Sequence, residues 1–346
     1  MSEVVSADQI LDTRGVKRDL GAFVVGAAFD RTGFACAFAL GDGSLRIAPS
    51  GDAQWASVAA HDGAVLSLAA GAVGRSWASG GDDGRFVLVN ADGTTTEIAK
   101  FGMKWVEKVA AHADAKAGRL ACAVGKRVHV FDAAGKQLKT LEHPSSVTGL
   151  VFDAKGKRIA ASHYNGASVW FVASSSDTPR VLEWKGSHTG ITISPDGDCV
   201  VTAMQENALH GWRLSDNQHM RMTGYPSKTE SLGFTKNGKW LASSGADAVV
   251  LWPFHGGGPM GKPPIELAGG DGVNCSTIAV HPSHEAVAAG FADGLVVMAD
   301  INSARILPVM APGRGSITAL AWSPDGTRLA IGTESGFAAV VDFSKR

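Results

Sequence analysis

The sequence predicts an all-β fold, an eight-bladed β-propeller with a seven-bladed ring as the alternative. A motif of the type Ser323–Gly326, then Leu329–Ala330, then Val340–Asp342 returns about every 40 residues, eight times. Such a period is typical of propellers and solenoids, because one unit cannot bury its own apolar face. The 43 glycines suit a chain with many tight turns, and 45% hydrophobic residues allow a sizeable core. We expect a single domain over residues 1–346.

The turn between the second and third strand of each unit sets the register. One residue in each turn serves as an anchor, and consecutive anchors are 39 to 46 residues apart. We number the units one to eight by their anchors, which are Asp42, Asp83, Lys126, Asn165, Asn207, Asp247, Asp293 and Ser335. Five anchors precede a glycine, which suits a two-residue hairpin turn.

Two positions in every unit are apolar. The first row lies six residues before the anchor and comprises Cys36, Trp77, Leu120, Ile159, Val201, Leu241, Val287 and Leu329. The second row lies five residues after it and comprises Ile47, Leu88, Phe131, Trp170, Trp212, Trp252, Met298 and Val340. Sixteen apolar residues at sixteen positions indicate buried strands. The three tryptophans predict that the second row faces a deep, shared interior.

The ends of the chain predict how the ring closes. The sequence reaches its end just after the third strand of unit eight, so that unit needs an outer strand from elsewhere. A spare strand is expected near Gln9–Asp12. Pairing it with unit eight would remove two exposed sheet edges at once.

The motifs resemble those of the WD40-repeat family, of a bacterial type with degenerate repeats. The resemblance covers almost the whole chain, and its closest matches are Ser323–Ala330, Leu241–Asp247 with Trp252, and Trp77–Gly84 with His61. It implies a buried hydrogen-bonded tetrad of Trp, Ser or Thr, Asp and His in each unit. No unit is complete, but the resemblance implies structural roles for His61, Ser79, Asp83, His143, Trp170, Trp212, Ser243, Asp247 and Trp252.

Composition and charge narrow the class of protein. A net charge of −1 removes the strongest electrostatic argument for nucleic acid or an anionic membrane. The N-terminal residues do not show a basic stretch followed by an apolar stretch, so we expect no signal peptide. No apolar run is long enough to span a bilayer. The four cysteines are dispersed without a CxxC pair, which predicts a reduced, cytoplasmic protein.

No motif of catalysis or metal binding stands out. HExxH, CxxC, EF-hand and GxSxG patterns are all missing from the sequence, so we expect no enzyme activity, no cofactor and no metal. His281 and His284 are close enough in sequence to bind a metal weakly, but no third ligand is evident. A metal or substrate site could be built from His188, Glu206 and Cys275, but nothing in the sequence fixes their mutual geometry.

The leading functional prediction is a non-catalytic scaffold that binds a protein or peptide partner. By analogy with the family, the loops that enter each first strand and the turns before each anchor project on one face, the top face. Binding residues concentrate on such loops. Aromatic and charged side chains around one opening have the composition of an interface hot spot. The candidates are Lys104, Trp105, Tyr164, His188, Glu206, Lys228, Glu230 and Arg314.

Two other classes of function remain open. A small-ligand or metal-binding propeller, or an enzyme, would place its site in the central channel, with Asp82, Glu206 and Glu334 as candidate acids. A nucleic-acid-associated adaptor would use basic residues together with Trp105 and Trp184 for base stacking. Its basic residues would be Arg14, Lys17, Arg18, Lys100, Lys104 and Lys185. The neutral net charge makes nucleic acid the less favoured partner.

Overall fold

The structure is a computed structural model that describes residues 7–51, 53–114 and 118–344. Within these ranges one short helix, α1 (Gln9–Arg14), precedes a series of strands that begins with β1 (Gly15–Asp19). No helix in the described ranges is long and apolar enough to cross a membrane.

The remaining strands follow the predicted units. Those of units one to three are β2 (Val24–Phe29), β3 (Ala35–Leu40), β4 (Ser44–Pro49), β5 (Ala56–Ala59), β6 (Val65–Ala70), β7 (Ser76–Gly81), β8 (Arg85–Asn90), β9 (Thr95–Lys100), β10 (Lys108–His112), β11 (Arg119–Val124), β12 (Arg127–Asp132) and β13 (Gln137–Glu142). Those of units four to six are β14 (Gly149–Phe152), β15 (Arg158–Phe171), β16 (Arg180–Ile193), β17 (Cys199–Met204), β18 (Ala208–Arg213), β19 (His219–Met222), β20 (Leu232–Phe234), β21 (Trp240–Ser243), β22 (Val249–Pro253) and β23 (Ile265–Leu267). Those of units seven and eight are β24 (Cys275–Val280), β25 (Ala286–Phe291), β26 (Val296–Asp300), β27 (Ile306–Met310), β28 (Ile317–Trp322), β29 (Arg328–Thr333) and β30 (Phe337–Asp342).

The strands form an all-β propeller of seven hydrogen-bonded sheets, a count that matches the seven-bladed alternative and not the predicted eight blades. Six sheets have four antiparallel strands, and one has six, in the order β14-β15-β16-β17-β18-β19. The physical reason is the continuous strand β16. Its first half pairs with β15 as far as Ser187, and its second half pairs with β17 from His188 onward. The hydrogen-bonded ladder therefore continues from unit four into unit five.

The N-terminal segment closes the ring, as predicted, but with different residues. Strand β1 pairs antiparallel with β30, from Gly15 opposite Val341 to Asp19 opposite Phe337. The segment expected to be the closing strand, Gln9–Asp12, is instead helical and belongs to α1. Leu11 of this helix is fully buried among residues of units seven and eight. The helix therefore covers the seam beside the closing strand.

An ion pair fastens the start of α1 to the top of unit eight. The guanidinium of Arg314 donates to both carboxylate oxygens of Asp8, at 2.8 and 3.1 Å, and the backbone N–H of Ala311 donates to the same carboxylate at 2.7 Å. These bonds hold the pKa of Asp8 below its usual value, Arg314 being the largest cause. Asp8 therefore links the N-terminal segment to the loop that enters β28.

The second apolar row does not face one shared interior. In units three to six its residues pack toward the preceding unit, and in units one, two, seven and eight they pack toward the following one. In unit six the length of the hairpin turn explains this. Six residues separate the last paired residues of β21 and β22, whereas five separate those of β25 and β26. A difference of one residue moves every side chain of a strand to the opposite face.

Hydroxyl groups tie neighbouring first strands together. Ser276 Oγ donates to the carbonyl oxygen of Ile317 in the next unit at 2.6 Å, and Thr318 Oγ1 donates to that of Val24 at 2.6 Å. The first strands of successive units thus lie against each other and surround the central channel. The channel wall is held by side-chain bonds as well as by packing.

Candidate partner-binding face

The top face carries the loops that enter each first strand and the turns between second and third strands. The loop between β9 and β10, residues 101–107, has a fixed backbone at both ends. The N–H of Phe101 donates to the carbonyl of Gly84 at 2.8 Å, and that of Val106 donates to Gly81 at 3.0 Å. Between these bonds the segment Gly102–Trp105 is exposed. The loop therefore presents its side chains on a backbone that is already ordered.

Large apolar side chains are exposed on this face. Met103 is 95% exposed, Trp105 56% and Tyr164 59%, and Phe23, in the loop that enters β2, is 47% exposed. Tyr164 occupies the turn of unit four, where its backbone N–H donates to Ser145 Oγ at 2.9 Å. Aromatic residues and methionine are enriched at protein interfaces. Two predicted candidates, Trp105 and Tyr164, thus share a surface with two that were not predicted, Met103 and Phe23.

The charged candidates differ in how far they are already paired. Lys104 is exposed next to Trp105. Lys228 Nζ lies 3.0 Å from Glu230 Oε1, and the Glu230 side chain is 60% exposed. Glu206 Oε1 accepts a bond from the N–H of Ser187 at 3.0 Å, so one of its oxygens holds a loop. Exposed pairs such as Lys228 with Glu230 contribute little to stability and can be exchanged for a partner.

His188, predicted on the binding surface, is fully buried and cannot contact a partner directly. Its Nδ1 lies 2.7 Å from Thr202 Oγ1 and its Nε2 lies 2.9 Å from the carbonyl of Trp184. Its ring packs near Trp212, with 5.7 Å between ring centroids. Burial lowers the pKa of His188. His188 is therefore a structural residue of unit five, with both ring nitrogens bonded within the fold.

The side chain of Arg314 is also paired within the protein. Its guanidinium holds Asp8, so the prediction of a partner contact through it conflicts with this ion pair. Of the acids considered for a channel site, Glu334 Oε1 accepts from the N–H of Ser316 at 3.0 Å, as Glu206 does from Ser187. Both glutamates satisfy the backbone of an entering loop.

Unit two contains a connected polar network. His61 Nδ1 lies 3.0 Å from Asp83 Oδ1, and His61 Nε2 lies 3.0 Å from Ser79 Oγ. Asp83 also accepts from the N–H groups of Asp62 and Arg85, each at 3.0 Å. Burial, the largest cause, lowers the pKa of His61, although Asp83 acts in the opposite direction. The neutral imidazole of His61 thus connects the loop before β6 with strand β7 and with the turn that follows β7.

In unit six a tyrosine occupies the position of the missing histidine. Tyr225 Oη lies 2.6 Å from Ser243 Oγ and accepts from Trp252 Nε1 at 2.7 Å. Burial raises the pKa of Tyr225 to about 12. Asp247 stays outside this network and accepts from the N–H of Gly272 at 3.3 Å. A spacing signal existed, because Tyr225 precedes its serine by 18 residues, as His61 does.

Unit four has only part of the tetrad. Trp170 Nε1 donates to His143 Nε2 at 3.3 Å, while His143 Nδ1 has no hydrogen-bond partner among the described residues. Burial, with a contribution from His163, lowers the pKa of His143 to about 4. Asn165, at the position of the tetrad acid, accepts from the N–H of Gly186 at 3.2 Å.

A stacked cluster covers the ring of Trp184, one of the two tryptophans considered for base stacking. Trp184 lies parallel to His210, with 4.0 Å between centroids and an angle of 13° between planes. His210 Nε2 lies 3.0 Å from His219 Nδ1. Burial, then His219, lowers the pKa of His210 to about 3. Trp212 Nε1, in the same cluster, donates to the carbonyl of Glu183 at 3.3 Å.

The metal hypotheses find no support in the geometry. No group of three or more His, Cys, Asp and Glu side chains in the described part of the chain is arranged to hold a metal ion. His281 Nε2 lies 3.0 Å from the carbonyl of Gly326, and its Nδ1 accepts from the N–H of His284 at 3.0 Å. Both ring nitrogens of His281 are thus used within the fold.

Sequence comparison finds WD-repeat proteins. Residues 278–346 match the family described as the anaphase-promoting complex subunit 4 WD40 domain. The chain is 28% identical over 192 residues to the WD repeat-containing protein slp1 of Schizosaccharomyces pombe, a match that covers 53% of this chain and 39% of slp1. These matches support the WD40-repeat family. This chain thus spans well under half the length of that relative.

A second relative also matches this chain, and a solved structure has a similar fold. The guanine nucleotide-binding protein subunit beta-like protein of Encephalitozoon cuniculi is 25% identical over 238 residues, covering 58% of this chain and 70% of the relative. Both named relatives are eukaryotic, so the expected bacterial type is not supported. The crystal structure of the computationally designed Ika8 protein superposes with a TM-score of 0.75 at 19% identity, covering 94% of this chain and 98% of that one. At that identity the likeness shows the propeller fold alone.

Proposed function

We propose that this protein is a non-catalytic, cytoplasmic scaffold that binds a protein or peptide partner on its top face. The observation that carries the proposal is the exposed segment Gly102–Trp105, which is held at both ends by backbone hydrogen bonds. Because the backbone of this segment is fixed at both ends, binding costs little backbone conformational entropy. The WD-repeat relatives support a role in protein interactions.

The chemistry of the face indicates how a partner would be held. Trp105 and Tyr164 offer rigid, amphipathic contact area, and Met103 adapts to irregular apolar surfaces. Lys104, Lys228, Glu206 and Glu230 form a charged surround. Hot spots of this kind have an apolar centre and a polar rim. Trp105 and Met103 would therefore supply most of the binding energy and the charged residues the specificity.

A double variant tests the proposal. We expect Met103→Ala with Trp105→Ala to weaken binding of the partner by at least about thirtyfold, because truncating a hot spot costs about 2 kcal/mol or more. The partner would first be identified by co-purification from the native cells and then titrated against purified wild type and variant. Since both side chains are exposed, the melting temperature should stay the same.

Ile306→Ala provides the matched control. This side chain is 49% exposed on the outer strand β27, away from the top face. It should leave the affinity unchanged. Equal affinity of the double variant and wild type, or an equal loss in Ile306→Ala, would contradict binding through the top face.

We also infer that the six-stranded sheet acts as two blades, so that eight repeat units surround the axis. Support comes from β15, where His163 Nε2 lies 3.0 Å from Ser168 Oγ. An extended strand would separate these residues by about 17 Å. The chain therefore reverses near Asn165, whose φ is 65°. Counting the units around the axis in an electron-microscopy projection tests this, and seven units would refute it.

A further inference from the structure

The lower face, opposite the top face, contains an arginine that has no carboxylate partner among the residues that the structure describes. Arg31 lies in the turn after β2 and crosses below unit two. Its Nε donates to the carbonyl of Gly71 at 3.0 Å, and its Nη2 donates to that of Ala111 in unit three at 2.9 Å and more weakly to that of Ala70 at 3.4 Å. No carboxylate of the described residues lies within ion-pair distance, and Nη1 donates to none of their atoms.

This guanidinium borders a cavity of about 510 Å³. The cavity is lined by the lower ends of the first strands of units two to four, namely by Ala69, residues 109–113 and residues 150–154. First strands surround the channel, so the cavity lies at its lower mouth. Its volume is within the range of small-molecule sites.

The charge around the cavity is positive. Asp153 is the carboxylate of its lining, but its oxygens accept from the backbone of Lys157 and Arg158 and from Arg158 Nε at 2.9 Å. Lys155 and Lys157 are exposed on the adjoining surface and form no ion pair with a described residue. Asp30, next to Arg31 in the chain, is buried, and its oxygens accept bonds from Thr32, Phe34 and Ala35. Asp114 and Asp196 border the neighbouring concavities.

The Arg31 side chain is exposed at the rim of the cavity, but the surrounding protein removes part of the water from its guanidinium, which lowers its pKa. An anion at Nη1 would supply a counter-charge that the neighbouring carbonyl groups do not. Nε and Nη2 are occupied by carbonyl groups, so Nη1 is the nitrogen left to donate a charge-assisted hydrogen bond to an oxygen of a phosphate or carboxylate.

We propose that the lower mouth of the channel binds a small anion, whose phosphate or carboxylate group is held by Arg31 Nη1. His112 closes the same cavity on the side of unit three. Lys155 and Lys157 attract the anion from solution. This site is on the opposite face from the partner-binding surface and is independent of it.

Calorimetric titration with inorganic phosphate in chloride buffer tests the site. Wild type should show saturable binding of one phosphate, and Arg31→Met should bind at least about tenfold more weakly. Titration with acetate and citrate in parallel distinguishes a phosphate from a carboxylate ligand. Arg75→Met is the matched control, since Arg75 lies over the ring of Phe34 at 3.8 Å and does not line the cavity. Absence of saturable binding of all three anions, or equal affinity in Arg31→Met, would overturn the proposal.

A crystal soak keeps the test decisive if Arg31→Met does not fold. Selenate replaces phosphate and gives an anomalous signal in wild-type crystals. The expected peak lies within hydrogen-bond distance of Arg31 Nη1. Absence of a peak in the cavity would overturn the site.

Discussion

Acidification from about pH 6.5 to about pH 5 is expected to destabilise the folded protein through its buried histidines. His143 and His210 are buried, and their pKa values are lowered to about 4 and about 3. In the unfolded chain they take up protons near 6.5, their ordinary pKa. The unfolded state thus binds more protons in this window, and stability falls as the pH falls. The loss levels off below the folded-state pKa values.

If the pKa shift of His143 is fully expressed, acidification lowers the free energy of unfolding through this residue alone by on the order of 3 kcal/mol. Carboxylates titrate mainly below about pH 5, so measurements between about pH 5 and 6.5 report chiefly on the histidines. Urea unfolding at several pH values gives the slope. The double variant His143→Asn, His210→Asn should reduce that slope, whereas the exposed His255→Asn should not. An unchanged slope in the double variant would show that these two histidines do not cause the acid sensitivity.

Removal of residues 1–19 is expected to have an effect at least as large. It deletes α1 and β1, opens the outer edge of β30 and uncovers the cavity filled by Leu11. Loss of a buried leucine side chain alone costs about 2–5 kcal/mol. An unpaired edge strand also promotes association with other chains. The truncated protein should melt well below wild type and form aggregates or dimers.

Thermal unfolding and size-exclusion chromatography measure these effects. Leu11→Ala and Asp8→Ala should each reproduce part of the loss, the first through packing and the second through the bond to Arg314. Thr13→Ala, at an exposed position of α1, should change stability by less than about 0.5 kcal/mol. A truncated chain that remains monomeric with the melting temperature of wild type would contradict closure by the N-terminal segment.

Much of the fold could be predicted from periodicity, but its details depended on single-residue differences. The repeat located the strands and the need for a closing strand, because edges must be paired. It misplaced that strand, since Ile10 and Leu11 suit a buried strand and a buried helix equally well. The direction of the second apolar row in unit six depended on a hairpin turn that is one residue longer than the turn of unit seven. Spacing from the anchor does not contain that information.

The candidate site was only partly accessible to sequence reasoning. Trp105 and Tyr164 could be placed on loops by counting from the anchors. The burial of His188 could not, because it follows from how Thr202 and Trp212 pack beside it. Arg31 gave no sequence signal. The side chain of Arg31 is noticed only in the structure, where carbonyl groups of units two and three accept its hydrogen bonds.

Oxidation of Met103 tests most directly the proposal that a partner binds on the top face. Hydrogen peroxide oxidises exposed methionine, and Met103 is 95% exposed while Met260, in the loop after β22, is 49% exposed and serves as the internal reference. Mass spectrometry would follow both rates in the free protein and in the complex with its co-purifying partner. Binding on the top face predicts that Met103 oxidation slows in the complex while that of Met260 does not change. An unchanged rate at Met103, with protection at Met260, would place the partner elsewhere and contradict the proposed function.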